Sequence, residues 1–122
     1  MVFSGRKNRR RRKRREVEWE GELKAKISDV EEIIKVRIAN FSATGALLHS
    51  DRIYAGPYHL ALPDNDADLS LSIFTQDGTL ESHFKIRWYD RSVKLDTFLI
   101  GIEFLDMLEN NRELIDKIVA RF

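Results

Sequence analysis

The chain has no cysteine. Disulfides and thiolate metal sites are excluded, and nothing in it requires an oxidising compartment. No apolar run approaches the roughly 18 residues of a membrane span. The basic N-terminus is followed by no apolar h-region, so no secretory signal is expected. The three histidines, His49, His59 and His83, lack ligand-like spacing, and no HExxH is present. Asp64, Asp66 and Asp68 lack the Gly and terminal Glu of a calcium loop. Ser42 is not in G-x-S-x-G, because position 40 is Asn, so a nucleophile elbow is unsupported. No acid–base or nucleophile set can be assembled. The expectation is a binding module, not an enzyme, with no metal and no cofactor, in a bacterial-type cytoplasm.

What is present is a charge asymmetry hidden by a net charge of +1. Residues 6–15 carry nine of the 21 Lys/Arg and no acid, which leaves 12 basic against 20 acidic residues in 16–122. A basic arm seeks phosphates or an acidic surface. An acidic body does not itself lie on nucleic acid or an anionic membrane. Residues 1–8 read as disordered from their composition.

From Glu16 to Ile27 odd positions are apolar or small and even positions are mostly charged. That period of two is a half-buried antiparallel strand. Asp29 to Glu32 reads as a turn. Ile34, Val36 and Ile38 alternate with Lys35 and Arg37 in a second strand, and a short third one runs from Ala46 to about His49. Gly56-Pro57 marks a turn. Tyr58 to Leu62 is expected as a strand, closed by Pro63 to Asp66. Leu69, Leu71 and Ile73 alternate next. Asp77-Gly78 then signals a type I′ hairpin, which needs φ > 0 at both central residues. The partner strand runs to Trp88, a loop spans 90–94, and Phe98 to Phe104 forms the last strand. Trp19 and Trp88 read as core. Leu108, Leu114, Ile115, Ile118, Val119 and Phe122 then fall at helical spacing, with Asn110 and Glu113 as a capping pair. The fold expected is mainly β: a six- to seven-stranded antiparallel barrel with a C-terminal helix over 108–122 and a basic N-terminal arm over 1–15.

Two stretches carry candidate chemistry. Asn40, Ser42 and Gly45 fall at i, i+2, i+5 where two strands meet. They offer an amide, a hydroxyl and a backbone free to let a ligand approach. The arginine run has three readings: a solvated tail, a nucleic-acid arm, or a compact site for phosphate and guanine. In the third, two arginines four apart clamp a nucleotide, since a guanidinium can grip phosphate or guanine O6/N7 bidentately or stack on a purine. Lysine would supply the charge without the fork.

The two stretches together resemble the PilZ domain family, receptors for the bacterial second messenger cyclic di-GMP. The family pattern is R-x-x-x-R entering the first strand, then [D/N]-x-S-x-x-G. Arg11 to Arg15 matches the first part and Asn40 to Gly45 the second. Ile86-Arg87-Trp88, Ile100 to Leu105 and the helix after it also fit, so the resemblance spans about residues 9–122. Arg6/Arg10 and Arg10/Arg14 share the arginine spacing; Arg11/Arg15 is assigned because Arg15 abuts the strand, with Arg10 as an added contact. The resemblance implies that Arg11 and Arg15 hold phosphate and guanine of cyclic di-GMP, that Asn40 and Ser42 touch the guanine edge or phosphate, and that Gly45 permits the loop. It also implies an arm that orders on the ligand and a signal passed to an effector protein. Neither Arg15 nor Ser42 is an expected core residue. The alternatives are a PilZ-like protein-interaction module that does not bind the nucleotide, and a nucleic-acid module using the arm. The acidic body speaks against the second.

Overall fold

A computed structural model describes residues 15–62 and 67–121. Arg10, Arg11, the rest of the arm, the 63–66 segment and Phe122 lie outside the described residues.

The strands are β1 (Arg15–Ile27), β2 (Val30–Phe41), β3 (Gly45–Ser50), β4 (Tyr54–Ala55), β5 (Tyr58–His59), β6 (Ala67–Thr75), β7 (Gly78–Ser92) and β8 (Thr97–Phe104), followed by the helix α1 (Met107–Arg121). Six of them close an antiparallel barrel in the order β1-β2-β3-β8-β7-β6, while β4 and β5 form a separate ribbon. The period-two pattern explains the closure. Leu23, Ala25 and Ile27 of β1 are buried, and so are Ile34, Val36 and Ile38 of β2, while the lysines and arginines between them face water. A sheet with one apolar face either packs on a second layer or curls on itself, and this one curls.

Several boundaries differ from expectation. The first turn is the tight pair Ser28-Asp29, with Ser28 at φ 57°, so β2 already begins at Val30. The strand expected over 58–62 is only Tyr58–His59, in the ribbon. The loop placed at 90–94 lies instead at 93–96, because β7 continues to Ser92. The Asp77-Gly78 hairpin closes on the pair Thr75 and Gly78, which makes Gln76 and Asp77 its central residues. Positive φ occurs at Gly78 and not at Asp77. The Thr75 hydroxyl holds this turn, donating to the Gly78 carbonyl at 2.7 Å and accepting from the Asp77 amide at 3.1 Å.

The helix starts one turn earlier than the expected cap. Asn110 lies inside it and donates its amide to the Asp106 carbonyl. Asn111 has non-helical dihedrals (φ −134°, ψ 26°) and kinks the first turn. Its side chain accepts from the Glu81 amide at 3.1 Å and donates to the Glu81 carbonyl at 2.8 Å, so it docks α1 on β7 as a strand rung would. Met107, Ile115 and Ile118 are buried, while Leu108 and Val119 are exposed. Arg121 grips Asp77 through Nε and a terminal nitrogen, at 3.0 and 2.9 Å.

Asp106 anchors the other end of the helix. It accepts from the Ser82 hydroxyl and the His83 amide, each at 2.7 Å, and meets His83 Nδ1 at 3.0 Å. The hydrogen bond from His83, then that from Ser82, pulls its pKa down to about 2. The same contact raises His83 above its ordinary value, helped by Asp68 at 3.4 Å. The carboxylate's contribution is present in full above about pH 4 and is lost as pH falls through about 2. The imidazolium's is present in full below about pH 6.5 and is lost as pH rises through its raised folded value. The stability lost in Asp106→Asn, measured by urea unfolding across pH, is therefore expected to be largest from about pH 4 to 6.5 and to shrink on either side.

Gly21 sits on the inner face of β1 between Val36 and Ile73. A Cβ there would lie 2.7 Å from both the Ser72 carbonyl oxygen and Ile38 Cδ1. The carbonyl is backbone and cannot swing away. Gly21→Ala is expected to cost about 1–3 kcal/mol in urea unfolding.

Candidate nucleotide site

One end of the barrel is built from the start of β1, the end of β2, the start of β3 and the end of β8. The registers fix the neighbours there: Arg15 opposite Phe41, Glu16 opposite Asn40, Asn40 also opposite Leu47, and Phe41 also opposite Ala46. Between Ile38 and Asn40 the register slips by one residue against β3, so Ala39 is a bulge. That slip changes the phase of β2. Ile38 and Phe41 both face inward, and Asn40 faces outward with Leu47 and Glu16. Phe41 is 1% exposed and plugs this end of the barrel. Its ring meets Trp19 edge-on at 5.3 Å and Phe104 at 5.8 Å.

The loop after Phe41 is closed by its serine. Ser42 is 4% exposed, so it is buried, although the sequence did not mark it as a core residue. Its amide donates to the Gly45 carbonyl at 2.9 Å. Its hydroxyl oxygen accepts from the Thr44 and Gly45 amides at 3.3 and 3.2 Å, and shares a hydrogen with the Thr44 hydroxyl at 3.1 Å. The loop is tied onward to β8 by the Phe104 amide, which donates to the Thr44 carbonyl at 2.9 Å. Ser42 thus holds the polypeptide in the shape that sets Asn40 on one side and Gly45 on the other. Gly45 is itself buried, opposite Glu103.

The structure brings Arg15, Asn40, Ser42 and Gly45 to this one end. Arg15 is half-buried beside Phe41, the residue between Asn40 and Ser42. Next to them a surface concavity of about 780 Å³ opens beside the Ala39 bulge, lined among others by Glu16, Glu18, Trp19, Arg37, Ala39 and His49. The His49 pKa is lowered by burial and by the Arg37 cation, so its ring is neutral at pH 7. Its Nδ1 is buried with no hydrogen-bond partner among the described residues. The concavity offers carboxylates, a guanidinium, a neutral imidazole and the indole of Trp19. Sequence reasoning missed Arg37 and His49, which are outward residues at strand positions with nothing local to mark them.

The other tryptophan is a correction. Trp88 is 50% exposed, not core. A register slip at Arg87 turns it outward, and its indole lies so close over Gly101 that a Cβ there would overlap it. It belongs to the outward row Glu16, Asn40, Leu47, Gly101, Trp88 that crosses five strands.

Among the described residues no group of three His, Asp or Glu could hold a metal ion. Ser82, His83 and Asp106 are near one another, but the serine donates to Asp106 and to the His83 carbonyl, not to the imidazole. That geometry does not make a nucleophile relayed by a base. No described helix is long and apolar enough to cross a membrane.

Compared with known proteins, the chain matches the family model described as PilZ domain over residues 8–121. No curated protein and no solved structure matches it.

Removing the Ser42 hydroxyl leaves the Thr44 and Gly45 amides without their acceptor. Ser42→Ala is expected to lower stability by about 1–3 kcal/mol in urea unfolding. The amide resonances of 40–45 should shift while those of β6 stay in place.

Proposed function

The chain belongs to the PilZ domain family, whose members are generally receptors for cyclic di-GMP, and from that premise we propose that it binds cyclic di-GMP at the barrel end formed by Arg15 and the 40–45 loop. The observation that carries the reading is the pairing of Arg15 with Phe41. It sets the last residue of the arginine run against the middle of the N-x-S segment.

In this reading Arg11 and Arg15 grip phosphate and guanine by forked hydrogen bonds, and Arg10 adds a contact. Asn40 meets the ligand from the outer face of β2. Ser42 works through the loop it closes, and Gly45 keeps that loop's approach open. The adjoining concavity suits a guanine chemically. Carboxylates such as Glu16 and Glu18 can accept from the base's amino group, and a guanidinium can donate to O6 and N7. Fixing arm residues costs roughly 1–2 kcal/mol of backbone entropy each. Charge-assisted hydrogen bonds of about 1.5–3 kcal/mol apiece offset that. The protein is then a bacterial, cytoplasmic signalling adaptor without catalytic activity, whose ligand-bound surface is read by an effector protein.

Calorimetry on the full chain with cyclic di-GMP, beside GMP as control, tests this. Saturable heat is expected with the cyclic dinucleotide and much less with GMP. Arg15→Ala is expected to weaken binding by roughly 10- to 100-fold, the loss of one charge-assisted contact. A folded sample that gives no heat with micromolar cyclic di-GMP overturns the proposal.

A further inference from the structure

We infer that the second half of β7 is a docking edge for an extended, carboxylate-bearing segment of another protein. Among the described residues, β7 pairs with β6 from Gly78 to His83. From Phe84 to Ser92 its partner among the described residues is β8. Along that stretch alternate backbone N–H and C=O groups point away from β8, and among the described residues no ladder pair with another strand continues past His83. Such an edge is a template for one more strand.

The side chains on this edge differ from those of a protected one. Arg87, Trp88, Tyr89, Asp90 and Arg91 are five consecutive exposed residues, so both faces of the strand meet water there. Tryptophan, tyrosine and arginine are the types most enriched where binding energy concentrates. Trp88 is fixed over Gly101 on one face. Tyr89 is braced from the ribbon, its ring 4.9 Å from His59, which in turn meets Tyr54 at 5.1 Å. Preorganised rings of this kind lose little freedom on binding. The apolar surface continues onto the hairpin tip, where Val93 is 88% and Leu95 55% exposed.

Charge selects the occupant. Lys85, Arg87 and Arg91 stand against Asp90 along the edge. Arg87 already touches Glu103 at 3.3 Å and Arg91 touches Asp96 at 2.7 Å, but these are solvent-exposed pairs that contribute little and exchange readily. A second copy pairing edge to edge is disfavoured in the symmetric registers centred on residues 86 to 91. A two-fold axis on Arg87, Asp90 or Arg91 sets that charge against itself. An axis on Ile86 sets Lys85 against Arg87, one on Trp88 sets Lys85 against Arg91, and one on Tyr89 sets Arg87 against Arg91. A strand alternating carboxylates with apolar residues meets no such conflict.

The test uses the full chain, labelled for amide NMR, and a capped octapeptide alternating Glu with Val and Phe. The same peptide with Lys for Glu is the control. The Glu peptide is expected to shift the amides of 85–92 and to slow hydrogen exchange at alternate ones. The Trp88→Ala/Tyr89→Ala variant, both positions being exposed, should keep a dispersed spectrum and bind the peptide roughly tenfold more weakly. The inference is overturned if the Glu peptide shifts other residues or none, or if the Lys peptide binds as well. It is equally overturned if the 85–92 amides exchange slowly in the free protein, or if sedimentation shows a dimer that protects them.

Discussion

One extra residue in β2 decides which way the candidate site faces. In a strand the side chains alternate, so a single insertion turns every later residue to the other face. Ala39 is that insertion. Without it Asn40 would follow Ile38 into the core and Phe41 would be left in water. With it Phe41 fills the barrel end at 1% exposure and Asn40 is delivered to the outer surface. Burying a phenylalanine of this size is worth about 1.5–3 kcal/mol relative to leaving it exposed, and burying an unpaired amide would cost a similar amount. The bulge is therefore held by the core as firmly as any regular rung.

The same slip explains why part of the molecule was legible in the sequence and part was not. Strict alternation in β1, in the first half of β2 and in β6 gave strands, faces and order, because a period of two has one burial pattern to match. Where the phase changes, the letters mislead. Ile86 and Trp88 look like successive core positions, yet the slip at Arg87 sends Trp88 outward onto Gly101. The glycine that admits the indole lies on another strand, so no local reading could pair the two. The helix cap was misplaced for a related reason. Asn110 and Glu113 have the spacing of a capping pair, but the helix is fixed by Asp106 and Asn111 through contacts to β7, 23 to 30 residues away in sequence.

Ser42 shows that residues grouped by their spacing still need sorting by what each one does. Asn, Ser and Gly at i, i+2, i+5 looked like three groups of one kind, all offered to a ligand. The geometry separates them. Asn40 is on a strand face. Ser42 is enclosed, with its hydroxyl engaged by two amides and a second hydroxyl. A buried hydroxyl in that position contributes by fixing backbone, since leaving those amides unmet would cost more than any single outward contact returns. Arg15 was legible for the opposite reason. The strand that begins with it has an unbroken alternation downstream, which fixes the end of the barrel at which it must stand.

The barrel also constrains how a signal could leave this site. Its six strands close on one another, and their registers tie Arg15, Asn40 and Phe41 into one framework. A ligand shifts an equilibrium only by the difference in its affinity for two states, and sliding a strand in a closed sheet breaks a whole ladder at once. Large movement of the framework is thus an expensive second state. The outward row from Asn40 runs through Leu47 and Gly101 to Trp88, three strand spacings or about 14 Å. A dinucleotide seated at Asn40 and a protein strand seated at Trp88 would lie on neighbouring parts of one rigid surface. Coupling between them then comes most economically from shared contacts and charge at their common border: an anion on the arginine side changes the field that a carboxylate-bearing partner meets, with no strand having to move.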